Sequence, residues 1–192
     1  MANVQSLDPV RRPPLKVAVL ADCHIHPGGG PNWTPAILDA LAGVDLILTL
    51  GDMGEASGLD RLAEIAPVLG VAGRDDEGDP RTAFPHRVFE TIGLRIGCVF
   101  DPVEAGLAAS LDPFTPSDQW ASRHTQMFAG RVDVLLCAST HKAAFESVGP
   151  VLVINPGSAT LPESGEDGAP GTFVVLELDG GGAQGRLVQV PR

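Results

Sequence analysis

Leu15-Lys16-Val17-Ala18-Val19-Leu20-Ala21-Asp22-Cys23-His24-Ile25-His26 is the stretch whose reading decides the fold. A short apolar run, bounded by Pro13-Pro14 and by Pro27-Gly28-Gly29-Gly30, reads as a buried strand that empties into one acid and two imidazoles. Asp22 and His24 stand one residue apart. At a strand end both side chains then project to the same side, where a carboxylate oxygen and a ring nitrogen can share one divalent ion. A metal is expected there, completed by residues from other strand ends.

Outward from this strand, Thr34 caps a helix that begins at Pro35 and carries Ile37, Leu38 and Leu41 on one face. The glycine-rich loop from Pro27 to Pro31 reads as a turn rather than a phosphate cradle, because no Gly-Lys-Ser/Thr follows. Val44 to Leu50 is a second buried strand ending in Gly51-Asp52-Met53-Gly54. Parallel neighbours point their carboxyl ends to one edge, so Asp22 and Asp52 can converge. A helix over residues 58 to 67 and a strand from Val68 to Ala72 lead to Gly73-Arg74-Asp75-Asp76, which completes the strand and helix alternation of an α/β sheet.

From His86 the pattern changes. His86 to Glu90 and Leu94 to Phe100 flank Ile92-Gly93 as an antiparallel hairpin, and Asp101-Pro102 ends it. Residues 102 to 116 carry no clear period. Ser117 is expected to cap a helix through about Ala129, followed by a strand, Val132 to Cys137, that ends in Ala138-Ser139-Thr140-His141. A second hairpin (Ala144 to Val148, Val151 to Ile154), the turn Asn155-Pro156-Gly157-Ser158, an acidic loop from Glu163 to Pro170 and strands near Phe173 to Leu178 and Gly185 to Val190 close the chain. No repeat or linker interrupts it. Residues 1–14 read as a flexible arm and 15–192 as one domain.

The composition narrows the function. With 192 residues and 44% hydrophobic content the chain can bury a sizeable core, and its formal charge of −11 opposes nucleic-acid and anionic membrane surfaces. No window approaches ~20 apolar residues, so no membrane-spanning helix is expected. Cys23, Cys98 and Cys137 lie in or after apolar runs without CxxC spacing, which suits free thiols in a reducing cytoplasm. Arg11-Arg12 precede an apolar run too short for an export signal core.

The order of strand-end motifs resembles the calcineurin-like metallophosphoesterase superfamily, in particular its small bacterial and archaeal phosphodiesterase branch, over about residues 15 to 178. The family's Asp-x-His is matched by Asp22-Cys23-His24, its Gly-Asp by Gly51-Asp52, and its Gly-Asn-x-Asp by Gly73-Arg74-Asp75-Asp76. Its His-Gly falls on Phe100-Asp101, its Gly-His-Thr-His on Ala138 to His141, and Asn-Pro-Gly-Ser stands intact at Asn155 to Ser158. The resemblance implies a four-layer αββα sandwich, two mixed sheets face to face with helices outside.

It also implies the site. One metal would be held by Asp22, His24, Asp52 and His141, all present; the second would need Arg74, Phe100 and Ser139 to be Asn, His and His. All three losses fall on one site, so a single divalent transition ion (Mn, Fe or Zn, from mixed O and N ligands) is expected and a second is not. Arg74 is expected to sit where that ion was, balancing Asp52 and holding a phosphate oxygen. Asp75 and Asp76 are expected to orient a water or ligand, and His26 and Ser139 to meet substrate. The blander readings are a solvated loop histidine at His26, packing or surface roles for His86 and His124, and a turn cap at Asp101. The function implied is hydrolysis of a phosphodiester or phosphomonoester, with a small phosphate ester or phosphate as partner. The alternative is a weak or inactive member used as a binding or assembly scaffold, with homo-oligomers left open. A different metal hydrolase built on His24-x-His26 is disfavoured by Gly51-Asp52 and Asn155 to Ser158.

Overall fold

A computed structural model describes residues 3–7, 14–26, 28, 30–163 and 169–191. The opening run forms β2 (Leu15–Leu20), whose parallel neighbours are β3 (Leu46–Thr49) and β4 (Val68–Gly70). The closing strands β12 (Gly171–Asp179) and β13 (Gly182–Val190) add antiparallel, giving a five-stranded sheet in the order β13-β12-β2-β3-β4. The second sheet has six strands in the order β1 (Val4–Ser6), β5 (His86–Thr91), β6 (Leu94–Val99), β9 (Val134–Leu136), β11 (Val151–Pro156) and β10 (Ala143–Val148). It contains the two expected hairpins, β5 with β6 and β10 with β11, joined through β9. Both sheets are mixed.

Three apolar clusters define four layers. Val17, Val19, Leu48, Phe89, Ile96, Leu136, Ile154 and Leu176 pack between the sheets. Ala18, Leu20, Ile47 and Phe173 face the other way, against α1 (Pro35–Ala40) and α2 (Ala56–Ala63). Val88, Leu135 and Val153 meet α3 (Trp120–Phe128) on the far side. Strand alternation thus sends successive side chains of β2 into different layers, which is why that strand carries no polar face except Lys16.

Several boundaries differ from the sequence reading. Within the expected N-terminal arm, Val4–Ser6 forms β1 and pairs in parallel with Val88–Glu90 of β5; residues 8–13 lie outside the described residues. Most of the acidic loop, residues 164–168, lies outside them too. α2 starts at Ala56 and stops at Ala63, and Pro67 disfavours any helical continuation past Ala66. The unassigned segment holds a small hairpin, β7 (Ala108–Leu111) with β8 (Phe114–Pro116). Thr34 caps α1 as expected, its Oγ1 accepting from the Ile37 amide at 3.3 Å. Ser117 does not cap α3: the N-cap is Gln119, and the Ser117 hydroxyl donates to the Gly106 carbonyl at 2.7 Å.

His124 is a packing residue. Its ring stacks on Trp120 at 4.8 Å and meets Phe128 edge-on at 5.4 Å, its Nε2 is buried without a partner, and burial lowers its pKa. Since the unfolded chain takes up the proton that the fold resists, this residue contributes a loss of stability as pH falls through ~6.5, and nothing above it. Urea midpoints at pH 7.5 and 5.5 should therefore diverge more for the parent than for His124→Phe. Equal divergence would remove His124 from the acid response.

Candidate metal centre

Five strand ends from both sheets converge on one edge: the loops after β2, β3 and β4 bring Asp22 and His24, Asp52, and Arg74 to Asp76, while those after β6 and β9 bring Phe100 and Asp101, and Ser139 and His141. The first two loops are zipped by backbone bonds, Asp22 N–H to Gly51 O at 3.0 Å and His24 N–H to Asp52 O at 2.9 Å. Of the seven non-glycine residues with positive φ among the described residues, five are Asp22, His24, Asp52, Ser139 and His141. Left-handed backbone of this kind costs roughly 1–3 kcal/mol per residue and gathers where function over-determines the geometry.

Asp22, His24, Asp52 and His141 follow one pattern, in which each commits one polar atom to the scaffold and turns the other inward. Asp22 Oδ2 accepts from the Ser139 and His141 amides at 3.1 and 3.3 Å, while its buried Oδ1 has no partner. Asp52 Oδ1 accepts from the Arg74 and Asp75 amides at 2.5 and 2.9 Å, while Oδ2 lies 3.9 Å from His24 Nε2. His24 Nδ1 meets Asp75 Oδ2 at 2.7 Å, and His141 Nδ1 meets the Leu161 carbonyl at 2.6 Å. Both partners are acceptors, so both Nδ1 atoms carry hydrogen, and in the neutral rings both Nε2 atoms then keep a lone pair. Those two Nε2 atoms face one another at 3.4 Å, with the rings stacked 12° from parallel.

Two lone pairs at this distance, with the Asp22 carboxylate beside them, repel unless a proton or a metal ion lies between them. The donor set fits a divalent transition ion. Asp22, His24 and His141 offer ligand atoms all within 4.8 Å of one another. Burial pushes the Asp22 carboxyl up to about 6, a shift that His141 and the two amides reduce.

The remaining expected residues divide. Asp75 joins the cluster as a bridge: its Oδ2 also meets His26 Nε2 at 3.0 Å, and these imidazoles hold its pKa down. Asp76 is corrected to a structural clamp, its Oδ1 accepting from Met53 and Gly54 amides and its Oδ2 from Gly73 N–H at 2.6 Å. Both of its oxygens are engaged by backbone amides of the loops after β3 and β4. Ser139 serves Asp22 through its amide. Asp101 is the turn cap it promised to be, accepting from Val103 and Glu104 amides, and it does more.

Arg74 also needs correction. Only its backbone amide touches Asp52; the guanidinium lies over the Phe100 ring at 5.1 Å and pairs with Asp101 at 2.6 Å and Glu104 at 2.7 Å. Glu104, then Asp101, raise its pKa. The expected pairing of the guanidinium with Asp52 fails because two nearer carboxylates compete for it on the same rim. Glu104 carried no signal in the sequence beyond following the Asp101-Pro102 turn.

A four-layer αββα sandwich that gathers two carboxylates and two imidazoles at converging strand ends defines a metallophosphoesterase-type domain. The chain belongs to the calcineurin-like phosphoesterase superfamily, whose domain model matches residues 15–181. A probable metallophosphoesterase of Methanothermobacter thermautotrophicus is 28% identical over 166 residues, 86% of this chain and 87% of that protein. Among solved structures, zinc-complexed Vps29 of Entamoeba histolytica superposes with a TM-score of 0.66 at 23% identity, covering 91% of this chain and 98% of that one. An archaeal phosphodiesterase gives 0.60 at 18% identity, covering 90% and 99%. These two share the fold.

Proposed function

We propose that this protein is a metal-dependent phosphoesterase holding one divalent transition ion between Asp22, His24, Asp52 and His141. The facing Nε2 lone pairs of His24 and His141 carry the reading. An ion bound there supplies Lewis acidity toward a phosphoryl oxygen and an acidified water. The chain's own part is orientation. Asp75 and the Leu161 carbonyl fix the two imidazole tautomers, and the amides of Ser139, His141, Arg74 and Asp75 fix which carboxylate oxygen of Asp22 and Asp52 turns inward.

Charge favours a phosphodiester as substrate. Asp101 and Glu104 already neutralise Arg74, so three carboxylates (Asp22, Asp52, Asp75) face one dication and leave the centre net negative. A dianionic monoester is repelled about twice as strongly as a monoanionic diester. Arg74 is half-exposed and keeps N–H donors with which to meet a phosphoryl oxygen at the mouth of the site.

Metal analysis of the purified protein should give one ion per chain, with bis-p-nitrophenyl phosphate cleaved in Mn2+ and cleavage lost in Asp52→Ala. Two tightly held ions would defeat the single-site reading. The combined Arg74→Asn, Phe100→His and Ser139→His variant should take up a second ion; if it does not, the assignment of these positions to a lost site is wrong. A scaffold is the second reading, favoured by the guanidinium locked to Asp101 and Glu104 and by the Vps29 fold. Absence of turnover on mono- and diester panels with any divalent ion would select it.

A further inference from the structure

We infer that a cleft lined by Ile25, His26, Asn32, Trp33, Ser57 and Arg61 seats the organic group of the ester, and that this group is a single flat ring system of nucleoside size. The substrate identity rests on the phosphoesterase reading; the cleft itself does not. Its position is set by a short chain of contacts. His26, which forms part of its wall, reaches Asp75 at 3.0 Å, and Asp75 reaches the candidate ligand His24 at 2.7 Å. The cleft is thus joined to the proposed metal centre through Asp75, which contacts both its wall residue His26 and the candidate ligand His24.

Its aromatic element is fixed in advance. Trp33 donates Nε1–H to the Gly58 carbonyl at 3.0 Å, its amide donates to Asn32 Oδ1 at 2.7 Å, and Thr34 beside it caps α1. The indole is partly buried against the core beneath both helices and also borders the cleft, so it offers a surface for stacking at little ordering cost. A side chain at Gly58 would meet Ile25 at 3.1 Å and crowd the floor. Asn32, Ser57 and Arg61 supply donors and acceptors for the polar edge of a heterocycle, with Arg61 held at the rim by Glu64.

At about 290 Å³ this open cleft stands at the lower end of ligand pockets and suits one base and sugar better than a dinucleotide. The −11 charge of the chain likewise opposes a polynucleotide.

The test uses a Trp120→Phe background, which removes the second of the two tryptophans and leaves Trp33 as the sole indole. Adenosine 3′,5′-cyclic monophosphate, adenosine and dimethyl phosphate are titrated into the Mn2+-loaded protein, with quenching followed by fluorescence and affinity by calorimetry. The cyclic nucleotide should bind about tenfold or more tighter than dimethyl phosphate, and both adenine ligands should quench Trp33. Trp33→Ala, and independently Ser57→Phe at an exposed position that fills the cleft, should bring the nucleotide down to the dimethyl phosphate level with Mn2+ affinity unchanged. Equal affinity for the two esters, or a preference that survives Ser57→Phe, overturns the inference. Should no ester be turned over while adenosine still quenches Trp33, the cleft stands and the phosphoesterase reading is what fails.

Discussion

Asp22→Asn should weaken metal affinity more than a hundredfold and, in the same protein, stabilise the metal-free fold. The first effect follows from removing an anionic ligand, which exceeds the 10–100-fold carried by residues that only orient ligands. The second follows from burial: Asp22 is fully buried, one carboxylate oxygen has no partner, and its pKa rises from 3.8 to about 6. The sign is that of an acid whose charged form the fold disfavours. Below 3.8 both folded and unfolded chains are protonated and there is no penalty; above about 6 the full penalty applies, about 3 kcal/mol. Asparagine keeps an acceptor for the Ser139 and His141 amides without the charge. Metal-free melting temperatures should therefore rise in Asp22→Asn at pH 7.5 and match the parent near pH 4, while Mn2+ raises the melting temperature of the parent alone. A metal-free variant that melts below the parent at pH 7.5 would show that Asp22 is stabilised without a cation, contrary to the centre described above.

Gly73→Ala should disable the centre without touching any proposed ligand. A Cβ at Gly73 would lie inside van der Waals contact of the Asp52 amide nitrogen and Oδ1, and 2.9 Å from the Gly51 carbonyl carbon, so backbone rather than a flexible side chain has to move. Overpacking of this kind costs roughly 1–3 kcal/mol, and here it displaces the carboxylate that Arg74 and Asp75 amides hold in place. Metal affinity should fall more than tenfold along with the melting temperature. Gly78→Ala is the control, since nothing lies within 4 Å of its added carbon. Matched behaviour of the two alanine variants would mean that the β4 loop does not set the position of Asp52.

The strand ends that carry Asp22, Asp52 and His141 could be located from the chain alone because apolar runs and turn residues are local signals. Thr34-Pro35, the Ile92-Gly93 turn and the strands Ala144 to Val148 and Val151 to Ile154 are readable for the same reason, and both hairpins fold as antiparallel pairs. Local signals failed where a short strand depends on a distant partner. Val4–Ser6 has no pattern of its own and is a strand because β5 presents an edge to it. Ser117 reads as a cap, but its hydroxyl donates to the Gly106 carbonyl and Gln119 stands at the N-cap of α3.

The sequence by itself determined most of the order of strands and helices, because periodicity is a property of neighbouring residues, while its resemblance to the metallophosphoesterase family implied the two-sheet architecture and singled out Asp22, His24, Asp52 and His141. Only the tertiary structure decided how the charges around that centre are shared. Arg74 is paired to Asp101, 27 positions away, rather than to Asp52; Asp75 reaches back 51 positions to His24; and Asp76 is consumed by three backbone amides. A charged side chain goes to whichever counter-charge the folded loops bring nearest, and that distance is set by the packing of two sheets.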